Sequence, residues 1–404
     1  MKRTSYVFSA IIIASLVLAA CAPAATQAPA GPATVKVYSS LPLTGSSAGQ
    51  TTTIVNAINL AIEQQTDGGL VCEGKIKIEY ESLDDATAAA GQWDAAKEQE
   101  NANKAVADPT TVAYIGTFNS GAARVSIPIL NQAGIVMVSP ANTADDLTAG
   151  ADTAKYYPTG KRNYTRVVAR DAFQGAFAAR WAAKLGAKNV YILDDTQIYG
   201  KGVADQFESN TAANGLTVVG RDGIDGKAAD YKALATKIAG TNPDLIYYGG
   251  ITQNNAGQLL KDIRAAGITA MFMGPDGILE SAFIEAAGAD VAEGVYGTIA
   301  GNPRAKLPPA GQKFYTDYQA KFNSEPEAYA IYGYEAASVV IKGISTACST
   351  DKAAVLDAVF ATKNFAGVLG TWSFDANGDT DLVAMLGNVV KGGKWEEAPA
   401  DILP

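Results

Sequence analysis

Asp108-Pro109-Thr110-Thr111-Val112-Ala113-Tyr114-Ile115-Gly116, followed one helix-like stretch later by Ala133-Gly134-Ile135-Val136-Met137-Val138-Ser139-Pro140, is half of an internal likeness. The other half reads Asn242-Pro243-Asp244-Leu245-Ile246-Tyr247-Tyr248-Gly249, then Ala266-Gly267-Ile268-Thr269-Ala270-Met271-Phe272-Met273-Gly274-Pro275. Both run in one order: a Pro turn, an apolar strand ending in Gly, a helix stopped by Gly, and a second strand entering Pro and polar turn residues. Any βα unit can offer a Gly stop and a Pro turn, but the matched order favours two lobes of the same winding. Short apolar runs alternating with amphipathic stretches predict parallel sheets covered by helices on both faces.

The pattern extends outward from these stretches. Val35–Tyr38 reads as a strand, and Ile54, Val55, Ile58, Ala61 and Ile62 form a helical stripe. Ile76–Tyr80 is a strand, Gln92–Ala107 a helix stopped by Asp108-Pro109, and Ser120–Ala133 a helix. In the second series Gly175–Leu185, Gly202–Ala213, Tyr231–Ala239 and Gly257–Ala266 read as helices. Val190–Leu193, Leu216–Gly220 and Leu245–Tyr248 read as the strands between them. Ligands of open parallel sheets sit beyond the carboxyl ends of the strands. Two such lobes face to face would set Ser120, Ala141, Thr143 and Asp276 on opposite walls of one cleft.

At 404 residues the chain is long enough for two domains, and 48% hydrophobic with 18% charged residues is a globular composition. The net charge of −9, without a Lys/Arg cluster, argues against nucleic acid as a partner. The chain has no histidine, which removes His-based triads, His metal sites and the commonest general base together. No metal, cofactor or catalytic residue is expected. A nucleotide-dependent enzyme would need a glycine fingerprint between strand and helix. Gly200-Lys201-Gly202 is the nearest approach and lacks the third glycine.

Lys2 and Arg3 precede an apolar run from Val7 to Ala20 that is short for a membrane span and fits an export signal. Leu18-Ala19-Ala20-Cys21 resembles the bacterial lipobox, which implies acylation of Cys21 and a mature chain beginning there. Residues 22–33 read as an Ala/Pro-rich tether. The expected location is therefore extracytoplasmic, lipid-anchored in the periplasm or at the outer face of the cytoplasmic membrane. In such a compartment the two remaining cysteines, Cys72 and Cys348, point to a disulfide, with two buried thiols as the alternative.

Several passages in fixed order then carry a family resemblance. They are Leu41-Pro42-Leu43-Thr44-Gly45, Tyr114–Ser120, Val138-Ser139-Pro140-Ala141-Asn142-Thr143, Asp171-Ala172-Phe173-Gln174-Gly175, Tyr199-Gly200-Lys201-Gly202, Tyr247–Gly250 and Phe272–Gly277. From Thr34 onward the chain resembles type I periplasmic binding proteins of the branched-chain amino-acid class, which deliver ligands to ABC importers. The resemblance implies an α/β fold of two Rossmann-like lobes joined by a three-strand hinge. Lobe 1 is expected over 34–170 and 301–381, and lobe 2 over 171–300 and 382–404. On this pattern Tyr332–Thr346 is a helix, Trp372-Ser373-Phe374-Asp375 an edge strand, and Leu382–Pro404 a crossing back to lobe 2.

The resemblance also implies a ligand set. Ser120 and Thr143 would hold a ligand carboxylate, each at the start of a predicted helix whose free N–H groups suit an anion. Thr143-Ala144-Asp145-Asp146 also reads as a capping box. The Ala141 carbonyl and Asp276 would meet an ammonium, although Asp276 in Pro-Asp-Gly is also good turn chemistry and relatives often carry the longer Glu. Tyr199 would close over the ligand, and Phe118, Asn119 and Tyr329 would line the side-chain pocket. Gln50 and Ile251 stand where the family often has tyrosines. Asp171 sits near the hinge or caps a helix. The implied partners are a small amino acid, an ABC permease and the membrane reached through Cys21, with the chain itself a monomer. Amides, urea and aromatic acids stay open as ligands, and a sensor using the same module is the alternative role.

Overall fold

In the computed structural model, which describes residues 31–150 and 152–404, the Asp108–Pro140 stretch forms the middle of a six-stranded sheet. Its strands are β1 (Ala33–Leu41), β2 (Leu70–Val71), β3 (Ile76–Asp84), β4 (Thr111–Gly116), β5 (Val136–Ser139) and β6 (Tyr164–Arg166). The order is β2-β3-β1-β4-β5-β6, parallel except where the short β2 pairs with β3. β4 and β5 are buried at every position, as their unbroken apolar runs require. The signal segment, Cys21 and most of the tether lie outside the described residues.

The second series winds the same way. It contains β7 (Asn189–Asp194), β8 (Thr217–Gly223), β9 (Leu245–Gly249), β10 (Met271–Gly274) and β11 (Tyr296–Ala300). Late in the chain come β12 (Phe365–Ala366), β13 (Thr371–Trp372), β14 (Met385–Lys391) and β15 (Lys394–Glu397). The larger sheet runs β15-β14-β11-β10-β9-β7-β8, with β14 and β15 added antiparallel at one edge. The fold is thus α/β, with parallel sheets in two lobes. Trp372–Asp375 is not an edge strand of either large sheet, because Thr371–Trp372 pairs with Phe365–Ala366 and Phe374 makes only an isolated bridge to Thr380. The remaining residues bend into a turn around Asp375, whose carboxylate accepts from Asn377 N and Asp379 N. The helix expected from Gln92 begins at Ala95, since Asp94 caps it by accepting from Ala96 N and Lys97 N.

The helix Ala330–Ala347 is buried on nearly all sides, wedged between the first sheet and the helix Ala48–Gln65. Each buried Val or Ile there contributes about 1.5–3 kcal/mol. The approach is close enough that a Cβ on Gly333 would meet Ile54 Cγ2 at 2.6 Å and Ile54 O at 2.9 Å. At the far end of this pair a disulfide joins Cys72 to Cys348, with Cα atoms 5.7 Å apart across 276 residues of sequence.

The chain passes between the sheets three times. It leaves β6 through the buried Val167-Val168-Ala169, returns after β11 through Gly301, and crosses last ahead of β14, where Gly301 N donates to Ala384 O at 2.8 Å. The crossings lie side by side around Tyr332, Leu307 and Leu382.

The cross-link ties the opening of lobe 1 to its returning segment, so its removal should act on the unfolded chain. Cys348→Ser is expected to lower the unfolding free energy by about 2–5 kcal/mol. Guanidinium titration of the mature protein would measure the loss, and an unchanged midpoint would show that the bridge contributes nothing.

Candidate functional site

The loops that leave the carboxyl ends of β4 and β5 are stitched into one surface. Ser139 Oγ donates to Thr117 O at 3.1 Å and accepts from Ala141 N and Asn142 N at 3.1 and 2.8 Å. Asn142 Nδ2 donates to Phe118 O at 2.9 Å. Ser120 opens the helix Ser120–Gln132, whose first backbone bonds run from Ala122 N and Ala123 N to Asn119 O. The N–H groups of Ser120 and Gly121 precede those bonds, at the positive end of the helix. Ser120 Oγ accepts from Ala144 N at 3.3 Å, which brings Ser120, Ala141 and Thr143 together.

Thr143 does not begin a helix. It precedes a three-residue turn, Asp145–Leu147, with no side-chain cap bond, and the carbonyls that a helix starting there would use are taken elsewhere, Thr143 O by Asp171 N and Ala144 O by Arg166. The Arg166 guanidinium is fully buried and donates to Asn142 O at 3.1 Å, Ala144 O at 2.8 Å, Asp379 Oδ1 at 2.6 Å and Thr148 Oγ1. With the backbone so held, Thr143 keeps a buried hydroxyl that has no hydrogen-bond partner.

Lobe 2 supplies the other wall from the carboxyl ends of its strands. Asp276 follows β10 in a tight turn and is 5% exposed. Tyr199, half-buried on the helix Ile198–Ser209, donates from its hydroxyl to Asp276 Oδ1 at 2.8 Å and accepts from Gly277 N at 3.0 Å. That contact needs glycine, since a Cβ at Gly277 would meet Tyr199 Cε1 at 2.8 Å and Gly250 O at 2.5 Å. Across the cleft, Tyr329 of lobe 1 donates to Asp276 Oδ2 at 2.5 Å, and Phe118 packs edge-on against its ring at 5.5 Å. Burial pushes the Asp276 carboxyl up, and the hydroxyls of Tyr329 and Tyr199 pull it partly back. Asn119 Oδ1 is enclosed without a partner.

Asp171 joins this group as the first residue of the helix Asp171–Lys184, and its N–H donates to Thr143 O at 2.8 Å. It is 1% exposed, and neither carboxylate oxygen has a partner. The Thr143 hydroxyl is near enough to lower its pKa but makes no properly directed bond. Burial holds the Asp171 carboxyl far above the usual range, with Asp145 and Asp276 adding to the shift. Tyr247 faces the same pair. Its enclosed hydroxyl is unpartnered, and burial followed by the charges of Asp171 and Asp276 pushes it up. Among the described residues neither Asp171 nor Asp276 has a Lys or Arg within ion-pair distance. Such carboxylates are costly unless a cation arrives.

Ser120, Ala141, Thr143, Phe118, Tyr329 and Asp276 therefore share one interlobe surface with Tyr199. Gln50 and Ile251 flank it: Gln50 Nε2 donates across the cleft to Glu280 Oε2 at 3.3 Å, and Ile251 packs buried beside Gly277. The sequence reading treated Asp171 as a hinge or cap residue and passed over Arg166 and Tyr247. A buried Arg and a strand Tyr carry no local motif, but an Asp following the crossing at the head of a helix did carry a signal.

Because the folded-state pKa of Asp171 is raised, the folded protein binds that proton more tightly than the unfolded chain does. The cost is absent below about pH 3.8, grows as pH rises toward the folded-state value, and is complete above it. Asp171→Asn is expected to raise stability at pH 7–8 by on the order of 1 kcal/mol or more, and to lose that advantage in acid. Urea unfolding across pH would read it, and a variant less stable than wild type at pH 8 would contradict it.

Comparison with known proteins agrees with this geometry. A family model described as periplasmic binding protein matches residues 34–394. The Leu/Ile/Val-binding protein BraC3 of Rhizobium johnstonii is 30% identical, over 87% of this chain and 90% of its own length. The leucine-binding protein LivK of Thermotoga maritima superposes with a TM-score of 0.80 at 28% identity, over 90% of this chain and 98% of that one. LivJ of Streptococcus pneumoniae, solved with isoleucine, gives 0.78 at 25% identity over the same shares. With two parallel-sheet lobes closed on a shared polar surface, this chain belongs to the periplasmic binding protein family, among the Leu/Ile/Val-binding proteins.

Proposed function

We propose that this chain is the solute-capturing component of an ABC importer, gripping an α-amino acid between its lobes and passing it to a permease. The observation that carries the reading is Asp171, a buried carboxylate with two free oxygens beside an unpartnered Thr143 hydroxyl and an unpaired Asp276. A zwitterion answers both halves of such a site. Its ammonium would sit between Asp276, Asp171 and the Ala141 carbonyl. Its carboxylate would take Ser120, Thr143 and the free N–H groups at the helix start. Leu, Ile and Val are the first candidates, because the similar proteins carry those names.

Each wall belongs to a different lobe, so the ligand favours the closed arrangement by bonding to both. Tyr199 and Tyr329 would then orient Asp276 toward the ammonium. The role needs no catalysis, and the similar proteins are solute binders. The family works outside the cytoplasm. No helix among the described residues is long and apolar enough to cross a membrane. We assign attachment to acylation of Cys21, with the protein working as a monomer.

Two outcomes test this. Asp276→Ala should weaken the best amino acid by more than tenfold while the far-UV spectrum is unchanged, and a loss under about threefold, roughly 0.7 kcal/mol, would reject the ammonium assignment. Cys21→Ser should move the protein from the membrane fraction to the soluble fraction, and an unchanged partition would reject the anchor.

A further inference from the structure

Next to the Asp276 turn, and on the same wall of lobe 2, stands a second buried carboxylate. Leu279 N donates to Asp276 O at 2.9 Å, and the following residue, Glu280, is 3% exposed. Gln253 Nε2 donates to Glu280 Oε1 at 2.8 Å, and Gln50 reaches across from lobe 1 to Glu280 Oε2. No Lys or Arg pairs with Glu280 among the described residues, and the charge of Glu327 opposes its ionisation. A carboxylate only accepts, so it fixes the Gln50 amide with its nitrogen turned to Glu280. Gln50 Oε1 is left buried and without a partner. Beyond Glu280 a groove of about 690 Å³ opens between the lobes, lined by Leu279, Ser281, Glu327, Ile331, Tyr332 and Trp395.

We propose that Gln50 and Glu280 form a side-chain subsite for an amino acid whose side chain ends in N–H donors, either an amide or a cation. The inference rests on the α-amino acid reading and narrows it. Two buried acceptors sit side by side where the lobes meet, an orphaned amide oxygen and a carboxyl that has only neutral partners, Thr252, Gln253 and Gln50, and that burial pushes up to about 7. An aliphatic side chain would leave the Gln50 oxygen without a donor and the Glu280 carboxylate without a cation. A site built around acceptors discriminates strongly against ligands that lack the matching donor.

The test is calorimetric titration of the mature protein with leucine, glutamine, asparagine, lysine and arginine, repeated for Gln50→Leu and the near-isosteric Glu280→Gln. At least one donor-bearing amino acid should bind tenfold or more tightly than leucine, and Gln50→Leu should shrink that ratio at least tenfold. Glu280→Gln separates the two donor types: it should weaken a cation strongly and an amide little. If leucine binds more tightly than all four others, the subsite is overturned while the amino-acid reading stands. If none of the five binds, and a wider set of zwitterions also fails, the underlying reading falls. Should Gln50→Leu fold poorly by its melting curve, Glu280→Gln alone decides: a donor-over-leucine ratio within threefold of wild type for a cation, with no amide preferred, rejects the proposal.

Discussion

One buried guanidinium organises the ligand-facing half of this molecule. Arg166, at the end of β6, donates to the carbonyls of Asn142 and Ala144, to Thr148 and to Asp379. Asp379 lies in the turn that leads into the last crossing, and Arg170, on the first crossing, holds its other oxygen at 3.2 Å. The loop bearing Ala141 and Thr143 and two of the three hinge segments thus share one charge cluster. A lysine could neutralise Asp379 but could not reach two carbonyls, a hydroxyl and a carboxylate at once, because its ammonium lacks the planar fork. The loop forms no more than the short Asp145–Leu147 turn, and the guanidinium satisfies the carbonyls of Asn142 and Ala144 that would otherwise be orphaned.

That arrangement explains what the amino-acid sequence disclosed and what it withheld. The doubled Pro–strand–Gly–helix–strand pattern was legible because β4, β5, β9 and β10 are buried runs, where composition and burial coincide. Ser120, Thr143, Tyr199 and Asp276 were singled out by ordered motifs near the carboxyl ends of strands, where this architecture gathers polar side chains, whereas Tyr329, at the head of the helix Ala330–Ala347, rested on the family resemblance alone. The helix expected at Thr143 was not formed, because a capping box is a local signal and Arg166 is 23 residues away in the chain. Trp372–Asp375 misled for a related reason. Its aromatics fill the core beside Glu335, which accepts from Trp372 Nε1 at 2.6 Å, so the residues are apolar for packing rather than for pairing in a sheet. Asp171 was visible as a residue and not as an unpaired charge, since partnerlessness is a property of three dimensions.

The cleft contains its own opposition. Tyr329 to Asp276, Gln50 to Glu280 and Gln92 to Asn254 at 3.2 Å are bonds between lobes, and each is worth on the order of 1 kcal/mol. The same closure takes Asp171, Asp276 and Glu280 out of water with no cation among them, which costs several kcal/mol per ion unless protons or new partners arrive. The neutral hydroxyls and amides around Asp276 and Glu280 reduce that cost without removing it, and Asp171 has not even those.

Closure therefore depends on what enters the cleft. The side chains that join the lobes are neutral donors, so they align the walls and set the register of approach, whereas the charges between them oppose contact. On the proposed function, a zwitterion would reverse the sign of the larger contribution, its ammonium turning the burial of Asp171 and Asp276 from a cost into charge-assisted bonds. A ligand shifts a two-state balance only by its differential affinity for the two states. A site whose carboxylates lose hydration on empty closure and gain charge-assisted bonds when filled would concentrate that difference in the cleft rather than in the hinge. Between the crossings the small cavity at the hinge is lined mainly by apolar side chains, Val167, Ala169, Leu307 and Leu382 among them, while the Arg166–Asp379–Arg170 cluster ties two of the segments together.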